Sequence, residues 1–259
     1  MHITAICLHP GMVLGAFQSG VCGRAFEAGI ASLRCVNPRD FSDDPHRSVD
    51  DRPYGGGPGM VLRPEPLLAA VRAARADAPA RAPAIFLTPQ GKRFNQQRAR
   101  GLASSSGMIL VAGRYEGFDE RAVELEADEE LSLGDFVLSG GELAACVVID
   151  AVVRLLPGAL GDERSAEQDS FSSGLLDFPQ YTRPSIVEGR AAPEVLLGGD
   201  HDRVRAWRLK QALGRTWMRR PELLENRCLN DQERRLLEEF QAEAGGAAYR
   251  VCREAGTEH

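Results

Sequence analysis

Leu131-Ser132-Leu133-Gly134-Asp135-Phe136-Val137-Leu138-Ser139-Gly140-Gly141-Glu142 is the stretch whose reading decides the fold. Apolar residues alternate at its start, glycines interrupt it twice, and the apolar run Leu143 to Leu156 follows. It reads as a strand that cannot continue and leaves as a helix. Ser139 is a good N-cap and Glu142 stands three residues later, which spells a capping box. Gly140 and Gly141 leave the backbone bare, and bare backbone at a strand end can lay amides and carbonyls against a small polar ligand. Taken alone, the stretch reads first as a tight strand–helix connection and nothing more.

The same pattern repeats on the N-terminal side. Residues 2–8 read as a buried first strand, Met12 to Phe17 as helical and residues 30–36 as a second strand. Glu65 to Arg75 reads as a helix. Ala84 to Leu87 is a strand ending in Thr88-Pro89-Gln90-Gly91, and Asn95 to Ala103 a polar helix. Met108 to Ala112 is a strand ending in Gly113-Arg114-Tyr115-Glu116-Gly117, and Glu120 to Glu126 a helix. Alternating strands and helices predict a parallel α/β sheet with helices on both faces. Ligands of such sheets sit at the carboxyl ends of strands. Three of those ends carry Gly or Pro with polar neighbours.

Beyond Leu156-Pro157-Gly158 the composition changes. Gly161 to Gly174 is rich in Ser, Glu, Asp and Gly and reads as a linker. After it, Asp200 caps a helix to about Gly214, Pro221 to Glu225 starts another, and Asn230 with Glu233 caps a last one. The domain expectation is therefore 1–160 for the sheet, 161–174 for a flexible linker and 175–259 for a small, mostly helical unit, with a frayed tail at Gly256–His259.

The totals exclude several classes. Among 259 residues, 43% are hydrophobic and 26% charged, as in ordinary globular chains. The run Leu143–Leu156 is broken by Asp150 and Arg154 and is too short to span a bilayer, so no membrane association is expected. No basic segment leads into an apolar core at the N-terminus, so no signal peptide is expected. Cys7, Cys22, Cys35, Cys146, Cys228 and Cys252 are scattered without a C-x-x-C, which predicts reduced thiols and a cytoplasmic protein. The five histidines stand at no ligand spacing to them, so no metal site is predicted.

Gly55-Gly56-Gly57-Pro58-Gly59 resembles a phosphate loop only superficially. Met60-Val61 stand where Lys-Ser/Thr must follow, and Asp51-Arg52-Pro53-Tyr54 precede it in place of a buried strand. The readings left are a lid over a site or a plain mobile loop. Net charge is −6, yet Arg203, Arg205, Arg208, Lys210, Arg215, Arg219 and Arg220 cluster with Trp207 and Trp217 between them. That cluster reads either as a solvated amphipathic helix or as an RNA-backbone contact, and the density of Arg favours the second. Arg154 is either an i,i+4 partner of Asp150 or an electrophilic stabiliser. Asp169 has equally plausible neighbours for a general base in Asp162, Glu163 and Glu167, and composition does not choose among them.

Several of these stretches, in one order, resemble the bacterial tRNA (guanine-N1)-methyltransferase family. They are Asp50 to Met60, Gly113 to Gly117, Gly134 to Glu142, Asp169-Ser170-Phe171, Arg208 to Gln211 and Gly214 to Trp217. The resemblance runs in register from about residue 1 to about 240. It implies a SPOUT-class fold whose sheet carries a trefoil knot, an exception to the rule against threading. It also implies a homodimer whose active sites are built from both subunits. The methyl donor would be S-adenosylmethionine, held at the positions matching Leu87, Thr88, Pro89, Gly113, Tyr115, Glu116, Leu133, Gly134, Asp135, Phe136, Val137, Leu138, Gly140 and Gly141. The acceptor would be N1 of guanine 37 in tRNA, next to the anticodon, with a guanine preferred before it. Asp169 matches the family's general base and Arg154 the arginine that stabilises charge on O6. Arg208, Lys210, Arg215, Arg219 and Arg220 would bind the RNA, and the need for Mg2+ is left open, with no residue assigned to it. Phe136, Ala144 and Asp200 depart from the family's common Tyr, Pro and Asn. Two rivals stand beside this reading: a SPOUT-class methyltransferase with another RNA target, and a non-catalytic RNA-binding protein.

Overall fold

The structure is a computed structural model and describes residues 1–161, 169–225 and 227–245. Asp162, Glu163, Glu167, Cys252 and the tail Gly256–His259 lie outside these residues. The chain forms two compact units, Met1–Ala166 and Glu167–His259.

In the first unit the described order is β1 (His2–Ile6), α1 (Pro10–Ala16), α2 (Gly20–Glu27), β2 (Ser32–Val36), β3 (Asp50–Asp51), β4 (Val61–Leu62), α3 (Pro64–Asp77), β5 (Ala84–Arg93), α4 (Gln96–Ala103), β6 (Gly107–Ala112), α5 (Glu120–Glu126), β7 (Glu129–Ser132) and α6 (Gly141–Val153). Five strands pair in the order β2-β1-β6-β5-β7, all parallel. Period-two alternation splits the central strands between two cores. Ile3, Ala5, Ile85, Met108, Leu110 and Leu131 face α1, α2, α4 and α6. Ile6, Ala84, Phe86, Ile109 and Val111 face α3 and α5.

The chain path follows from handedness. Connections that move toward β2 (β1 to β2, β5 to β6) use the face of α1, α2 and α4. Connections that move toward β7 (β2 to β5, β6 to β7) use the face of α3 and α5. All four crossovers therefore share one hand, as twisted parallel strands require. After β7 at the sheet edge, α6 returns across the first face and packs on α4, β6 and α1.

Several expectations need correction. The strand at Leu131 ends at Ser132, so Leu133 to Gly140 are irregular. Ser139 does not cap α6: Gly140 is the N-cap, with no side-chain cap bond. The Glu142 carboxylate turns away from the helix start and accepts from Arg114, because a charged donor binds it more strongly than an amide does. The strand from Ala84 runs to Arg93, with a register shift against β7 between Leu87 and Lys92 that leaves Thr88–Gly91 bulged. Helix α2 is an element the periodicity did not predict. Arg154 is the C-cap of α6, just past its last turn.

The long polar segment after β2 is tied down. β3 and β4 form a small antiparallel pair, and Val49 and Leu62 are buried with Leu8 against Phe118. Its glycine tip stays open to solvent, where Gly55, Gly56 and Gly57 have nothing within 4 Å of a built Cβ.

In the second unit Leu175, Ala212, Leu213 and Leu237 form the core. It joins α7 (His201–Arg219), capped by Asp200, to α9 (Asp231–Ala244), capped by a full Asn230–Glu233 box; α8 (Glu222–Glu225) lies between them in sequence.

Candidate active site

The bulge within β5 at Thr88–Gly91 and the irregular connections after β6 and β7 meet at the carboxyl end of the sheet. They line a cleft of about 340 Å³, within the size range of small-molecule sites. The β5 wall contributes Leu87, Thr88, Pro89 and Gln90, and the β6 wall Gly113, Arg114, Tyr115, Glu116 and Gly117. The β7 wall contributes Leu133, Gly134, Phe136, Val137, Leu138, Gly140 and Gly141. Every cofactor position named from the sequence is thus brought to one place except Asp135. Its side chain is 95% exposed and pairs with Arg93 at 3.2 Å.

Local sequence explains why the walls approach so closely. The Gly141 amide donates to the Gly113 carbonyl at 2.7 Å. A Cβ on Gly141 would lie 2.7 Å from the Gly113 nitrogen and 2.8 Å from Ala112 Cα, so only glycine fits. Tyr115 takes a left-handed φ of 60°, which turns the chain so that Tyr115 and Glu116 face the cleft. The Glu116 amide donates to the Met60 carbonyl at 2.9 Å, and the Leu62 amide to the Gly117 carbonyl at 3.0 Å. The stem of the glycine loop is therefore stitched to the β6 wall.

The lining is aromatic and apolar on several sides and acidic at Glu116, Glu120 and Glu130, with Arg114 the one basic residue among the lining residues. Such a surface suits a ligand with a flat apolar ring and a positive group. Gln90, Phe118, Glu120 and Glu130 join the lining without a signal in the sequence beyond adjacency to the loops. Among the described residues, no group of three or more His, Cys, Asp and Glu could hold a metal ion. No helix among them is long and apolar enough to cross a membrane.

The remaining candidates are placed as follows. Arg154 is half-buried in the first unit. Asp169 is half-buried in the second unit, where its carbonyl accepts from the Ser172 amide at 3.1 Å. On α7, Arg208 lies 4.8 Å from the Phe178 ring centre. Burial opposes the charge of Lys210, but hydrogen bonds to Glu243 and Glu239 outweigh it and raise its pKa above the ordinary value. Arg215 is half-buried, while Arg219 and Arg220 are exposed; Arg220 pairs with Glu222 and sits over Phe171. The structure therefore leaves Arg219 and Arg220 on the surface and turns Lys210 toward its own unit.

Near the α6 end, the Cys22 thiol donates to Asp150 Oδ1 at 3.3 Å. Burial, then this bond, pushes its pKa up to about 12. Cys7, Cys22, Cys35, Cys146 and Cys228 are all free thiols.

Comparison with known proteins gives one consistent result. The family described as tRNA (Guanine-1)-methyltransferase TrmD matches residues 1–226. A protein of Halorhodospira halophila (strain DSM 244 / SL1) is 56% identical over 257 residues, 99% of this chain and 96% of that protein. One of Methylococcus capsulatus (strain ATCC 33009 / NCIMB 11132 / Bath) is 57% identical over 243 residues, 94% of this chain and 97% of that protein. Both carry the name tRNA (guanine-N(1)-)-methyltransferase.

Proposed function

The chain belongs to the tRNA (guanine-1)-methyltransferase family, and from that premise we propose that it transfers the methyl group of S-adenosylmethionine to N1 of guanine 37 in tRNA. The observation that carries this reading is the convergence of the β5 bulge and the glycine-bearing loops after β6 and β7 on one cleft with acidic and aromatic walls. When bound, S-adenosylmethionine supplies an electrophilic methyl on a positively charged sulfur. The carboxylates of Glu116, Glu120 and Glu130 favour that charge, and Tyr115, Phe118 and Phe136 offer faces for an adenine ring.

Guanine N1 carries a proton and is a weak nucleophile until that proton leaves. Asp169 accepts it as the N1–methyl bond forms, and the carbon–sulfur electron pair stays on sulfur as a neutral thioether. Negative charge spreads to O6 as N1 loses its proton, and Arg154, permanently charged, donates to that oxygen.

The same reading includes the knot and the homodimer. The Gly141–Gly113 contact supports a chain drawn tightly over the β6 end. Met12 and Leu14 on α1, and Leu143 and Val147 on α6, are 42–50% exposed large apolar residues on two helices that pack together. An exposed apolar stripe of this kind supports a face covered by a second copy. Residues 1–160 would hold the donor, 161–174 would link, and 175–259 would grip tRNA through Arg208, Arg215, Arg219 and Arg220, while Lys210 is held by Glu239 and Glu243. Asp169→Ala is the test: S-adenosylmethionine binding stays near normal while methyl transfer is lost. Transfer retained in that variant overturns the mechanism.

A further inference from the structure

The chemistry proposed above gives neither Arg114 nor Glu142 a task, yet their arrangement is costly. Glu142 is 0% exposed in its side chain. Its Oε2 accepts from Arg114 Nε at 2.8 Å, and its Oε1 is buried with no hydrogen-bond partner in the structure. A buried, half-satisfied carboxylate weakens a fold unless its partner stays in place. A neutral residue at this helix start would avoid that penalty.

The guanidinium reaches four segments at once. It belongs to the β6 wall, bonds Glu142 on α6, and donates from Nη1 to the Ser139 carbonyl at 3.4 Å. Its Nη2 also lies 3.3 Å from Met12 Sδ on α1. Gly140 makes room for this: a Cβ there would stand 2.7 Å from Glu142 Oε2 and press into the guanidinium. The backbone bond from Gly141 to Gly113 joins the same two walls a few atoms away.

We propose that Glu142 is a positioning residue: through Arg114 it locks the wall bearing Tyr115 and Glu116 against the wall bearing Gly140 and Gly141, and so sets affinity for the methyl donor. Glu142 itself is not among the residues lining the cleft; Arg114 is. The inference rests on the reading of the cleft as the donor site.

Glu142→Gln keeps the size and removes the charge. Titration calorimetry with S-adenosylmethionine on the full chain should give a Kd raised by about tenfold or more, with kcat at saturating donor little changed. A folded Glu142→Gln protein with the wild-type Kd overturns the proposal, because a merely structural pair would lower the melting temperature and leave the Kd alone. If Glu142→Gln fails to fold, Arg114→Lys decides: it keeps the charge but loses the fork, and an unchanged Kd there overturns the proposal equally. If the unaltered protein itself binds no S-adenosylmethionine, the reading of the cleft fails and takes this inference with it.

Discussion

Gly141→Ala perturbs the closest approach of two cleft walls by one methyl group. The added Cβ would lie 2.7 and 2.8 Å from main-chain atoms of Gly113 and Ala112, where ordinary van der Waals separation begins at 3.4 Å. Neither neighbour is a side chain that can swing aside, so one wall must move by about 0.7 Å. Overpacking of this kind costs about 1–3 kcal/mol, and breaking the 2.7 Å bond from Gly141 to Gly113 would add about 1 kcal/mol. Better helix propensity returns up to about 1 kcal/mol. The net destabilisation is roughly 1–3 kcal/mol, and each kcal/mol lowers Tm by about 2–4 °C in a chain of this size. Thermal unfolding by circular dichroism reads the stability, and calorimetry with S-adenosylmethionine reads the wall. Gly101→Ala on α4 is the control: its Cβ would meet only the flexible Arg98 Nη1, at 3.4 Å, so it should be neutral or stabilising. A Gly141→Ala protein that melts with wild type and binds donor equally well would refute the close-approach argument.

Three further outcomes are expected. Arg219→Gln with Arg220→Gln should weaken tRNA binding and flatten its salt dependence by roughly 0.7–0.9 in log–log slope for each phosphate that is no longer neutralised. Lys210→Ala should leave that slope nearly unchanged, since its ammonium is already held by Glu239 and Glu243; filter binding across a salt series checks both. The Cys22 thiol ionises near 12 in the folded chain against an ordinary 9.0. The folded state therefore holds this proton over a range where the unfolded chain has released it. The stabilisation is complete below pH 9 and disappears as pH rises toward 12. Urea titrations along that range should show a steeper fall for wild type than for Cys22→Ala, and equal slopes would contradict the assignment. In a thiol-labelling time course, exposed Cys228 should react before buried Cys7 and Cys22.

The sheet was legible where the pattern was local. Met108–Ala112 is apolar on both sides and forms a strand buried on both faces. Asn95, Asp200 and Asn230 cap the helices they precede, because a short polar side chain there meets only its own backbone. Ser139 and Glu142 spell a cap equally well and do not make one. The reason lies 28 residues away in Arg114, beyond the reach of any local pattern. The extension of β5 past Leu87 is hidden for the same reason, since its bulge is set by pairing with β7. At the site, glycine and proline marked each loop, but periodicity could not bring the loops together. The rule that ligands sit at the carboxyl ends of parallel strands gives that expectation, the family resemblance names the ligand, and the cleft supplies the geometry.

The most direct test of the central claim is methyl transfer to paired transcripts. A tRNA transcript with guanine at position 37, and the same transcript with adenine there, are incubated with the protein and methyl-labelled S-adenosylmethionine, and the nucleosides are separated. The account predicts label in 1-methylguanosine from the first transcript and none from the second. Label on a ribose hydroxyl, equal label in both transcripts or no label in either would contradict it.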